Sequence, residues 1–178
     1  MNKTLVIALA ATGLLASAAP AFAQAANTSN DTANGSVTII RPLTITKSAD
    51  LVFGRIVEPR TGTGTVSIAN TGNSVTAGSG AVALAGITTS RAVFGVSGEG
   101  AQVVNVSMPA TFDLTKGADS ITVTLSPDWN TTTNQVTLSG ALAGAGAASL
   151  NVGGSFNLPS TQASGAYTGT FTVTVAYN

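Results

Sequence analysis

From Val37 onward the chain alternates apolar and hydroxylated residues with a period of two. Val37, Ile39, Leu43 and Ile45 interleave with Thr38, Thr44 and Thr46, a spacing that sends the two sets of side chains to opposite faces of a strand. The period recurs at Val66 and Ile68, at Ala92, Phe94 and Val96, and at Val104, Val106 and Met108. It returns at Ile121, Val123 and Leu125, at Val136 and Leu138, and at Leu150 and Val152. Clusters of turn-forming residues separate the runs: Thr61-Gly62-Thr63-Gly64, Asn70-Thr71-Gly72-Asn73, Lys116-Gly117 and Gly153-Gly154. No helical period is sustained after Ala23. These signals predict an all-β fold, an antiparallel β-sandwich. An outer-membrane barrel would need strands of about nine to eleven residues and aromatic girdles. The runs here are shorter, and the chain holds one Trp, two Tyr and six Phe.

Some stretches break the alternation. Arg41 interrupts the first apolar face and Pro42 removes a ladder donor, so the first strand belongs at a sheet edge or carries a bulge. Residues 76–85 and 140–148 are almost entirely small. They read as loops or weak edge strands, or else as a tightly packed surface between subunits. Residues 24–35 have no bulky apolar side chain and read as a flexible N-terminal arm. Before them come Lys3, an uncharged apolar stretch and Ala21-Phe22-Ala23, the three parts of a secretory signal peptide cleaved after Ala23. The expected organisation is a signal peptide over 1–23, an arm over 24–35 and a single domain over 36–178. The mature chain would have no membrane span and would be exported to the periplasm, the outer-membrane surface or the medium.

Composition narrows the chemistry. The chain has no Cys and no His, so disulfides do not hold it together, and Ser-His-Asp or Cys-His catalysis is excluded. Only 8% of residues are charged. Without Lys3, six basic residues face seven acidic ones, and no basic cluster exists to bind nucleic acid. Lys47 and Lys116 are the lysines left for a Ser–Lys dyad, and neither sits in a nucleophile motif. Asp113, Asp119 and Asp128 could pair as carboxylates, but they fall in turn-like surroundings. The segment 113–119 lacks the alternating acids of a calcium loop. No cofactor or metal is expected, and no enzyme. Trp129, in Ser126-Pro127-Asp128-Trp129-Asn130, has two readings: an exposed indole that stacks on sugar, or a ring packed over the end of the sandwich.

The sharpest pattern closes the chain. Gly165, Tyr167, Gly169, Phe171, Val173, Val175 and Tyr177 take the odd positions, and Ala or Thr takes each even one between them. One face is therefore apolar and aromatic, as a strand half-facing a core requires. This ending, with Leu51-Val52-Phe53-Gly54, the run 92–98 and Leu150-Asn151-Val152-Gly153-Gly154, resembles the exported bacterial family called domain of unknown function 4402. That resemblance implies a Gram-negative origin and an immunoglobulin-like sandwich, and no activity. More widely, the ending is similar to chaperone–usher pilus subunits and spore-coat protein U, which share a penultimate tyrosine, matched by Tyr177, and a glycine matched by Gly165. The likeness implies a pilin-like sandwich lacking one strand, a periplasmic chaperone and usher as partners, and a homo-polymer joined by strand addition. Residues 24–35 lack the alternating bulky residues a donor needs. Val37, Ile39, Leu43 and Ile45 would then serve either as donor or as first strand. The function expected is a structural subunit, pilin-like or surface-coat. The alternative is a carbohydrate-binding module using Trp129.

Overall fold

The computed structural model describes residues 27–178, so the expected signal peptide lies outside the described residues. Residues 27–37 are exposed and form no strand or helix. Thr38–Asn178 make one compact unit. It is built of β1 (Thr44–Ala49), β2 (Ile56–Val57), β3 (Thr63–Ile68), β4 (Val75–Gly78), β5 (Val82–Ala83) and β6 (Ala92–Glu99). There follow β7 (Val103–Ser107), β8 (Thr111–Lys116), β9 (Asp119–Pro127), β10 (Gln135–Thr137), β11 (Ala145–Pro159) and β12 (Thr174–Tyr177). The fold is all-β and every pairing is antiparallel.

Alternation is cleanest in β9, where Ile121, Val123 and Leu125 are buried while Ser120, Thr122, Thr124 and Ser126 face outward. The larger sheet has seven strands and runs β1-β6-β11-β3-β4, with β9 and β8 branching from β11. A three-stranded sheet, β10-β7-β12, and a two-stranded ribbon, β2-β5, complete the fold. Between them lie Val66, Ile68, Val96, Val104, Val123, Leu138, Leu150 and Val152, all essentially removed from solvent. Each such aliphatic side chain contributes about 1.5–3 kcal/mol by leaving water. That burial replaces the missing disulfides.

The longest strand organises the rest. Val152 pairs with Ala92 of β6 on one edge and Pro127 of β9 on the other. Gly154 and Ser155 pair with β9 and β3 at once. One edge of β11 therefore serves β6 with its first half and β3 with its second. Two expectations are corrected here. Gly153-Gly154 is no turn but the middle of β11, because a side chain at Gly153 would collide with the Ile68 carbonyl; glycine lets β3 approach. Ala145–Ala148, read as loop or weak edge, pairs with β6 inside the sheet. The turn at Lys116-Gly117 joins β8 to β9, and residues 76–85 do form short edge strands, as expected.

The first strand also differs from its pattern. Pro42 stops the ladder, so β1 begins only at Thr44. Leu43 and Ile45 pack against the core. Val37 and Ile39, expected in the same strand or a donor, lie outside every strand and are 84% and 88% exposed. β1 is an edge strand and shifts register between Lys47 and Ala49.

Candidate functional site

The closing segment is longer than β12. Thr174–Tyr177 pairs with Ser107–Val104, and earlier in the segment Thr168 bridges to Thr115 of β8. The segment therefore lies along residues 103–116 at both its ends. The Thr115 N–H donates to the Thr168 carbonyl at 2.8 Å and the Thr168 N–H returns a bond at 3.1 Å. At the far end the Asn178 N–H donates to the Val103 carbonyl at 3.1 Å. Even-numbered residues thus turn their main-chain groups toward β7 and β8. Main-chain groups alternate sides along a strand, so Tyr167, Gly169, Val175 and Tyr177 turn theirs to the opposite edge. β12 is the outer strand of its sheet there, as β1 is of the larger one.

Beside the Tyr167 end of the closing segment lies an apolar groove. A cavity of about 660 Å³ is lined on one side by residues 51–54 and 56–58 and on the other by residues 162–169. Its floor is Ile121, Phe156 and Leu158, with Phe53 in the wall. Phe53 and Phe156 meet edge to face, centroids 5.0 Å apart and planes at 86°, an arrangement aromatic rings favour. Glu58 is the charged side chain in the lining. Among the described residues no helix is long and apolar enough to cross a membrane.

The odd face of the closing segment points inward as its pattern requires. Val173 is 7% exposed, and Tyr167, Phe171, Val175 and Tyr177 are half-buried against the core. Phe171 packs on Phe112 at 5.0 Å and near Phe94 at 6.2 Å. Tyr167 is tethered at the groove's rim. Its hydroxyl donates to the Ala163 carbonyl and accepts from Gln162 Nε2, both at 2.7 Å. Lys116 Nζ sits 5.5 Å from its ring centroid and donates to the Ser164 carbonyl at 2.7 Å. Gly165 and Gly169 line the groove with Tyr167.

Several sequence candidates are not brought together. Trp129 is 9% exposed and packs into the core, so it offers no indole face to a ligand. Asp113 accepts from the Thr122 hydroxyl at 2.6 Å, Asp119 pairs with Lys116 at 3.5 Å, and Asp128 holds the Asn151 main chain at 3.0 Å. Each carboxylate serves a local contact. Lys47 pairs with Asp50 at 2.5 Å. Sequence reasoning missed the groove's floor, because Phe156 and Leu158 look like ordinary core alternation. It also missed Glu99, the last residue of β6, which is 4% exposed.

The family model described as Domain of unknown function (DUF4402) matches residues 43–177. No curated protein and no solved structure matches the chain.

Proposed function

The chain belongs to this family of unknown function, and from that premise we propose that it is a non-catalytic, exported structural subunit, pilin-like or surface-coat, that assembles by edge-strand pairing. One observation supports the reading: the stretch of the closing segment around Tyr167 and Gly169, laddered to β8 only through Thr168, lines an apolar groove about 660 Å³ in volume. Exposed strand edges with an apolar floor attract an added strand, whose main chain closes the ladder while alternate side chains fill the groove. The segment with the right character is exposed Val37 and Ile39, interleaved with Ser36 and Thr38 in a stretch outside every strand. On this reading the sandwich is immunoglobulin-like and one strand short, and a neighbouring copy's segment around 36–40 supplies that strand. A contact of this head-to-tail kind leaves a free groove at one end and a free donor at the other, so it builds a filament. A periplasmic chaperone would cover the same groove before an usher passes the subunit on, as the wider resemblance to pilus subunits implies. The sugar-binding alternative has no exposed indole to support it.

The test is on protein released from the cell envelope in mild detergent. Ladders or filaments are expected, and they should be lost when Val37 and Ile39 are both changed to Ser, with the subunit still folded. A monodisperse monomer that refolds without any partner would contradict the reading.

A further inference from the structure

The larger sheet splits between β9 and β11. These strands pair from Pro127 with Val152 only as far as Thr124 with Ser155. Beyond that point β11 stays with β3 as far as Pro159, while β9 stays with β8 as far as Asp119. Asn157 and Thr122 are the next residues in register, and there the strands part. Their main-chain groups turn into the split. At its paired end the Asp128 N–H donates to the Asn151 carbonyl at 2.9 Å, and main-chain groups alternate sides along a strand. Asn157 therefore turns its groups toward β9, and Thr122 and Ser120 turn theirs toward β11. Pro159 brings no N–H with which to continue the ladder.

A cavity borders the split on each face of the sheet. On the solvent face it is a cleft of about 440 Å³. Ser120, Thr122, Thr124, Ser155, Asn157 and Gln162 line it, and among the described residues no charged side chain does. On the core face lies the apolar cavity, with Phe53 and Leu158 in its lining. Ile121, Phe156 and Gln162 line both. Gln162 is held where the two adjoin. Its N–H donates to the Pro159 carbonyl at 3.1 Å, and its Nε2 donates to the Tyr167 hydroxyl at 2.7 Å.

An apolar chamber beside a neutral polar cleft selects its occupant twice. An alkyl chain gains by leaving water for the chamber. A charged group in the cleft would lose water without meeting a counter-charge. Hydroxyl groups would exchange water for hydroxyl, amide and main-chain partners. We infer that the split sheet binds an amphiphile with an uncharged, hydroxylated head: a sugar carrying an alkyl chain. The chain lies in the apolar cavity and the sugar in the cleft, away from Trp129. The site belongs to the isolated subunit and stands whether or not subunits add strands, because an added strand would displace the alkyl chain.

Calorimetric titration of the folded, isolated protein with n-octyl β-D-maltoside, below its micelle-forming concentration, is the test. Octanol, maltose and octyl sulfate are the comparison probes. The maltoside should bind saturably at one site, about tenfold or more tighter than octanol or octyl sulfate, as one or two net hydrogen bonds provide. Maltose alone should bind far more weakly, since the alkyl chain supplies the apolar burial. Asn157→Ala, at an exposed position in the cleft, should weaken the maltoside about five- to tenfold and leave octanol unchanged. Ala166→Trp, at an exposed position in the apolar lining, should weaken both alike. Equal affinities for octanol, octyl sulfate and the maltoside would overturn the inference. So would maltoside binding that Asn157→Ala does not change, or binding seen only above the micelle-forming concentration. None of these readouts involves filaments, so strand addition can fail while the amphiphile site stands, and the reverse.

Discussion

The two ends of the closing segment are held differently. At Tyr177 the side-chain hydroxyl joins the Glu99 N–H to the Arg41 carbonyl, the Glu99 carboxylate takes the Arg41 N–H, and Leu43 packs on the core nearby. At Tyr167 the segment is tied to β8, through Thr168 to Thr115 and Ser164 to Lys116, and it faces residues 51–58 across an apolar cavity. The contrast sets a closed, hydrogen-bonded junction at Tyr177 against an open cavity at Tyr167.

Breaking the segment that links the two ends should have the largest effect. Val173 is buried between them at 7% exposure. Val173→Asp loses about 1.5–3 kcal/mol of burial and adds an unpaired charge that costs several kcal/mol more. Set against a typical stability of about 5–15 kcal/mol, the variant should fail to fold, seen as loss of a cooperative denaturation transition. Next comes the floor of the open end. Phe156→Ala removes one ring of the Phe53 pair and should cost about 3–5 kcal/mol in chemical denaturation. At the closed end, Tyr177→Phe leaves the Arg41 carbonyl and the Glu99 N–H without their shared partner, a loss of about 1–3 kcal/mol. The smallest stability effect is expected at the open rim. Ala166→Arg, at an exposed lining position, should change stability by no more than about 0.5 kcal/mol and yet abolish assembly by filling the groove. If Ala166→Arg assembled normally while Tyr177→Phe did not, the contrast between the ends would be reversed.

The sequence made the strands legible wherever alternation was regular. β9 follows its pattern because one face is buried and the other is hydroxylated throughout; the closing segment keeps the alternation of burial from Phe171 to Tyr177, but only Thr174–Tyr177 forms a ladder strand. The failures have two physical causes. Gly153-Gly154 and the Ala-rich 145–148 carry no side-chain signal for a strand; their pairing is dictated by how closely β3 and β6 approach. Val37 and Ile39 keep the period of a strand without a partner to make them one, since period reports which faces a chain could bury and not where a ladder forms. The groove was half visible. Its Tyr167 edge stood out in the sequence, while its floor at Phe156 and Leu158 is set by the long-range pairing of β11 with β3. Glu99 was hidden for the same reason, because its partners at Arg41 and Ala143 are far away in the chain.

The central claim is that the free edge of the closing segment receives a strand from another copy. Hydrogen exchange resolved to single amides tests it most directly, because unpaired edge amides exchange far faster than laddered ones. In the isolated subunit the amides of Tyr167 and Gly169 should exchange quickly, while that of Thr168, bonded to Thr115, should be slow. In assembled material from the envelope, Tyr167 and Gly169 should become as protected as Thr168, together with amides at 37–40. Identical exchange at Tyr167 and Gly169 in both states, with protection gained elsewhere or nowhere, would contradict the account.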